Sequence, residues 1–133
     1  MNRWILGARP RTLPAAIAPV IVAVAIAYPT IDLFNALLAL IVGLSLQIAV
    51  NYANDYSDGI KGTDIDRIGP TRLVASGLAS ARSVKAAAQI SLMIGAIFGL
   101  LLASRTSWWL LIVGFLALIS AWGYTGFKNP YGY

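Results

Sequence analysis

Four runs of uncharged, mostly apolar residues fill most of this chain, and they restrict its fold more than any other feature. Each run is about 20 residues long, the length of helix that crosses the hydrocarbon core of a bilayer. Only helices or closed barrels satisfy every backbone polar group in lipid, and the alternating segments typical of a barrel are absent. The sequence therefore predicts an all-α, polytopic membrane bundle, with one domain over residues 1–133. Its four predicted transmembrane helices cover residues 12–31, 33–54, 86–104 and 106–127.

Composition narrows the chemistry that such a bundle can carry. The chain is 59% apolar and only 11% charged, and it contains neither cysteine nor histidine. Disulfides, thiolate sites and cysteine nucleophiles are thereby excluded, together with the commonest general base and the commonest zinc ligand. Any metal should be a hard, oxygen-bound cation such as magnesium or calcium.

The basic residues predict how the bundle is oriented. Nine of the ten precede the first run, lie between the second and third runs, or follow the fourth, and Arg105 is the exception. Under the positive-inside rule, the amino terminus, the 55–85 loop and the carboxy-terminal tail are cytoplasmic. We expect a multi-pass protein of the inner (plasma) membrane. The net charge of +5 then reflects topology, and no nucleic-acid partner is expected.

Small and aromatic residues give two local predictions. Gly95 and Gly99 form a G-x-x-x-G pattern in the third run, which indicates a close helix contact. Trp108 and Trp109 stand at the start of the fourth run, where aromatic rings prefer the level of the lipid headgroups.

Most of the few carboxylates cluster at the end of the second run, in the stretch "NDYSDGIKGTD" at 54–64. If the second helix continues past the membrane core, Asn51, Asn54, Asp55 and Asp58 share one helical face. Two carboxylates on one face repel each other unless a cation lies between them, and amide oxygens beside them suit magnesium. Because magnesium usually shares its ligand shell with phosphate oxygens, the pattern predicts a phosphate or diphosphate substrate. The alternative is a hydrated helix end with internal ion pairs.

The loop that follows supplies cations for phosphate oxygens that a metal does not reach. Lys61, Arg67 and Arg72 lie within one connecting segment. Gly59, Gly62 and Gly69, with Pro70, are expected to break regular structure there and to let the backbone approach a ligand. Membrane topology alone would also account for each of these positive charges.

Several segments together resemble a known family. They are "ARPRTLPAAIAPV", "QIAVNYANDYSDGIKGTD", "RIGPTRLVASG" and the closing "PYGY". In this order they resemble the UbiA-type membrane prenyltransferase superfamily, whose first acidic motif reads N-D-x-x-D. More narrowly they resemble its branch acting on 1,4-dihydroxy-2-naphthoate. The resemblance implies transfer of a polyprenyl group from polyprenyl diphosphate to dihydroxynaphthoate, with loss of carbon dioxide, in menaquinone biosynthesis.

The resemblance also assigns roles to residues. It implies that Asn54, Asp55 and Asp58 are catalytic and hold Mg2+ against the diphosphate, with Asp64 as a further ligand. The expected diphosphate-binding cations are Lys61, Arg67 and Arg72, with Arg9 of the first motif facing the same cavity. Gly62 stands where the family pattern has another acid.

One departure bears on activity. The family is expected to form nine helices with a second aspartate-rich motif in a later helix, and the five acids of this chain leave none for it. The resemblance therefore implies that the chain is the amino-terminal part of a longer domain, which needs carboxy-terminal helices or a second copy. Two other functions remain open: a sister prenyltransferase for 4-hydroxybenzoate or a chlorophyllide, and a small four-helix membrane transporter.

Overall fold

The computed structural model describes residues 2–62 and 71–123, and every regular element in these residues is helical. A short helix, a 3-10 turn at Pro10–Thr12 and four longer helices follow one another. The helices are α1 (Arg3–Ala8), α2 (Pro14–Ala27), α3 (Leu33–Lys61), α4 (Ala81–Arg105) and α5 (Leu110–Gly123). The predicted all-α membrane bundle is thus confirmed.

The helix boundaries follow from the local sequence. Pro14 stands in the first turn of α2, where its missing N–H costs no hydrogen bond. Asp32 caps α3 by accepting the N–H of Asn35, and Ser80 caps α4 by accepting that of Ser83. At the other end of α3, Gly62 adopts a left-handed conformation with φ of 70°, which glycine tolerates best.

The long helix α3 lies at the centre of the bundle and packs chiefly on α4. The predicted G-x-x-x-G contact is confirmed. A Cβ added at Gly95 would lie 3.4 Å from the Cβ of Ser45, and one at Gly99 would lie 3.8 Å from Val42 Cγ2. Small residues on α4 thus let the two helix backbones approach closely.

The helices differ in their ability to cross a membrane. By length and composition, α3 and α4 can each span one. The segment Arg3–Thr12 and α2 meet this criterion only as a pair bent by 48°, and α5 contributes a shorter apolar stretch. The four predicted spans therefore correspond to two long helices, a bent pair and a short helix. Large apolar side chains of α5, such as Phe115 at 63% exposed, face outward.

A polar contact joins the two long helices at the end of the bundle away from the acidic cluster. Arg105 donates to Asn35 Oδ1 at 2.9 Å and pairs with Asp32 at 3.4 Å. The backbone N–H of Asn35 lowers the pKa of Asp32 below its usual range, and the Arg105 charge acts in the same direction. Arg105, the one basic residue outside the predicted cytoplasmic segments, therefore links α4 to α3.

Candidate active site

The segment from Thr71 to Ala79, here called the anchored loop, folds back onto α1 and the last turns of α3. Its Leu73 is completely buried. A Cβ added at Gly7 would lie 2.6 Å from Leu73 Cδ1 and 2.7 Å from Tyr52 Cε1, so the absence of a side chain there makes room for Leu73. The loop is therefore packed into the bundle rather than lying freely on its surface.

Gly59 of α3 provides a second close contact with this loop. A Cβ at this position would lie 2.4 Å from Val74 Cγ1 and 2.5 Å from Val74 Cβ, closer than real atoms approach. The Val74 side chain can therefore lie against α3 only because residue 59 has no side chain.

The Asp55 carboxylate binds the backbone of the anchored loop. Asp55 is 0% exposed. Its Oδ2 accepts the N–H of Leu73 at 2.8 Å, and its Oδ1 accepts the N–H of Val74 at 3.1 Å. Hydrogen bonds to a charged acceptor are stronger than neutral ones, so this is a firm attachment.

One turn further along α3, Asp58 forms an ion pair with the same loop. Arg72 Nη2 lies 3.0 Å from Asp58 Oδ2, and only about a tenth of each side chain is exposed. A buried pair of this kind is costly to break, because removing one partner leaves a charge poorly solvated. The Asp58 carboxylate and the Arg72 guanidinium therefore lie side by side at the end of α3, each mostly buried and each with a small exposed surface.

Polar side chains of α3 also hold the first motif of the chain in place. Asn51 Nδ2 donates to the carbonyl of Ala8 and to Thr12 Oγ1, both at 2.8 Å. The Tyr52 hydroxyl donates to the carbonyl of Trp4 at 2.7 Å. These bonds fix the backbone on both sides of Arg9, which adopts a left-handed conformation with φ of 51°.

The structure brings together part of the predicted site. Asp55, Asp58 and Arg72 meet at the anchored loop, while Asn54 is half-buried on the same helix and Lys61 is exposed at its end. Asp64 and Arg67 lie outside the described residues. Within the described residues, no three acidic side chains lie close enough together to hold a metal ion by themselves. The roles assigned to all these residues remain predictions.

Sequence reasoning missed the residues that hold the loop. The sequence feature that could have indicated them is the adjacent pair Leu73 and Val74, since two neighbouring large apolar side chains are unusual in a mainly polar loop. Gly59 was interpreted as a general backbone breaker, whereas its role is a specific close contact with Val74.

The family profile described as the UbiA prenyltransferase family matches residues 16–131. Among curated proteins, the chain is 55% identical to a 1,4-dihydroxy-2-naphthoate octaprenyltransferase of Mycobacterium tuberculosis, over 98% of this chain and 46% of that protein. It is 52% identical to the protein of that name from Mycobacterium leprae, over 98% of this chain and 45% of the relative. It is 41% identical to the protein of that name from Escherichia coli, over 98% of this chain and 45% of that relative.

The chain thus spans about half the length of these relatives. No solved structure matches it significantly. Because the family profile covers most of the chain and begins within the first apolar run, the similarity is not confined to one short motif. This chain belongs to the UbiA prenyltransferase family.

Proposed function

We propose that this chain forms the diphosphate-binding half of an enzyme that transfers a polyprenyl group from polyprenyl diphosphate to 1,4-dihydroxy-2-naphthoate. The observation that carries the proposal is the shielded Asp58–Arg72 pair at the end of α3, in a chain of this family. A carboxylate for a metal and a guanidinium for phosphate oxygens are the two groups that diphosphate binding needs. The names of the relatives support dihydroxynaphthoate as the acceptor rather than another aromatic ring.

The donor set at the end of α3 fits magnesium. The Asn54 amide and the Asp58 carboxylate are one helical turn apart and offer oxygen ligands. Magnesium needs only one or two protein carboxylates when water and phosphate oxygens complete its shell. Bound there, it would stabilise the negative charge that develops on the leaving diphosphate. The assignments of Asp64, Arg67, Lys61 and Arg9 to the same site remain part of this proposal.

The chain's own residues contribute binding and charge stabilisation. Arg72 neutralises Asp58 before substrate arrives, and it then stabilises the diphosphate as the bond to the prenyl carbon breaks. The electron-rich ring of dihydroxynaphthoate attacks the resulting allylic cation. Loss of its carboxylate as carbon dioxide returns the bonding electrons to the ring and gives demethylmenaquinol. No protein nucleophile is required, consistent with a chain that has neither cysteine nor histidine.

A neighbouring groove suits the polyprenyl tail. It lies along α2 and α3, has a volume of about 460 Å³, and is lined mainly by apolar side chains such as Pro19, Val20 and Leu46. Gln47 and Val50 also line it, within about two turns of Asn54. A tail in this groove would leave its diphosphate end near the acidic cluster.

The direct test is a chimera that joins residues 1–133 to the remaining part of the Mycobacterium tuberculosis relative. We expect magnesium-dependent release of diphosphate from octaprenyl diphosphate, together with formation of demethylmenaquinol. The unaltered relative serves as the positive control. A chimera that elutes as one species in detergent and melts like the relative, yet releases no diphosphate, would contradict the proposal. A transporter would likewise release none.

We further propose that the anchored loop faces the cytoplasm. Because the chain has no cysteine, single substitutions can be labelled without background. Ser76 and Ser107 are both exposed and suit this purpose, whereas Ser57 in the acidic cluster is fully buried. A membrane-impermeant maleimide should label Ser107→Cys in intact spheroplasts and Ser76→Cys only in inverted vesicles. Labelling of both from the same side would refute the orientation.

A further inference from the structure

Asp55 and Asp58 belong to the same acidic motif, but their surroundings differ. Both oxygens of Asp55 accept backbone N–H groups, and the residue is 0% exposed. Asp58 pairs with a side chain and retains 7% exposure. A metal ligand must direct an oxygen lone pair to a place that a hydrated ion can reach. The geometry of Asp55 instead suits a fixed support for the backbone.

We propose that Asp55 is a positioning residue rather than a magnesium ligand. Its carboxylate fixes the peptide groups of Leu73 and Val74 and thereby holds Arg72, the preceding residue, beside Asp58. The statement that this arrangement serves diphosphate binding rests on the proposed function. The attachment of the loop itself does not.

Other contacts hold the anchored loop, but they act differently. Arg3 donates to the carbonyl of Leu78 at 3.0 Å, which is directional but lies six residues from Arg72. Nearer to Arg72, Leu73 fits beside Gly7 and Val74 lies against Gly59. The apolar contacts are non-directional and leave the orientation of the peptide groups undetermined. The two hydrogen bonds of Asp55 are directional and meet consecutive N–H groups next to Arg72. Asp55 is therefore the residue best placed to set the direction in which the Arg72 side chain extends from the loop backbone.

Asparagine at position 55 would disrupt this arrangement with little change in size. Its amide has one acceptor oxygen and one donor group, so the donor would face a backbone N–H. One buried N–H would lose its partner, and the remaining bond would lose its charge assistance. Asp55→Asn should therefore release the loop backbone without altering the α3–α4 contact at Gly95.

Hydrogen exchange measures the attachment independently of catalysis. In the chimera carrying Asp55→Asn, we expect the amides of Leu73 and Val74 to exchange at least about tenfold faster than in the unmutated protein. Amides of α4 between residues 88 and 100 provide the internal reference and should not change. Unchanged protection of Leu73 and Val74 would overturn the proposal.

Steady-state kinetics then separate positioning from metal binding. Asp55→Asn should raise the KM for octaprenyl diphosphate about tenfold, through Arg72, and leave the magnesium concentration for half-maximal rate nearly unchanged. Asp58→Asn, the same chemical change three residues away, should raise the magnesium requirement. A merely structural role for Asp55 would lower the active fraction without changing the KM.

A double substitution tests the link between Asp55 and Arg72. If Asp55 acts through Arg72, then Asp55→Asn combined with Arg72→Gln should raise the KM no further than Arg72→Gln alone. Additive effects would overturn the proposal, as would a magnesium requirement shifted as far by Asp55→Asn as by Asp58→Asn. Neither result would affect the proposed function, which is judged by turnover of the unmutated chimera.

Discussion

Replacing Asp58 with asparagine should lower prenyl transfer by the chimera at least about 10²-fold, the scale of losing one preorganised electrostatic contact in an active site. The side chain keeps its size but loses the charge that pairs with Arg72 at 3.0 Å and that would attract magnesium. Magnesium binding and the positioning of Arg72 should both fail, because the asparagine amide is a weaker metal ligand and the Arg72 guanidinium loses its ionic partner. Raising the magnesium concentration should recover part of the rate.

The measurement is the initial rate of demethylmenaquinol formation against magnesium concentration, with folding checked by elution and melting in detergent. Asp32→Asn is the matched control. Asp32 lies at the opposite end of α3 with nearly half of its side chain exposed, and asparagine caps a helix about as well as aspartate. The control should retain a near-normal rate. A correctly folded Asp58→Asn variant that also does so would remove Asp58 from the site.

Much of the fold could be predicted from the sequence because the deciding signals are local. Uncharged runs locate the long helices. The second helix was predicted to cover residues 33–54, and α3 continues to Lys61, which meets the condition under which the acidic motif shares one helical face. The resemblance to the UbiA-type superfamily is likewise confirmed. The first run was harder to interpret, because Pro14 starts α2 two residues late and the preceding segment is bent by 48°.

The division of roles within the acidic motif could not be predicted from the sequence. Helical spacing places Asp55 and Asp58 on one face and gives no reason to assign them different roles. What distinguishes them is a contact with residues 18 and 19 positions away, the N–H groups of Leu73 and Val74. That contact depends in turn on the buried fit of Leu73 beside Gly7, which no local pattern encodes.

Replacing Gly59 with alanine is the second substitution with a large expected effect. The new Cβ would lie 2.4 Å from Val74 Cγ1 and 2.5 Å from Val74 Cβ, so the loop must move away from α3. Overpacking of this kind costs about 1–3 kcal/mol. Alanine recovers up to about 1 kcal/mol through its higher helix propensity. The remaining cost of about 0–2 kcal/mol should lower the melting temperature by a few degrees. Prenyl transfer should fall more, by about 10- to 100-fold, as Arg72 leaves Asp58.

Rescue by a second substitution distinguishes displacement of the loop from general damage. Val74→Gly removes both clashing carbons, so Gly59→Ala with Val74→Gly should recover most of the lost rate. Val74→Ala keeps the Cβ at 2.5 Å and should not rescue. Gly114→Ala is the matched control, because a Cβ there meets nothing within 4 Å. Equal rates for the two double variants would show that contact between Val74 and residue 59 does not control the site. The rates would then depend on the end of α3 alone, and the anchored loop would have no role in positioning Arg72 for catalysis.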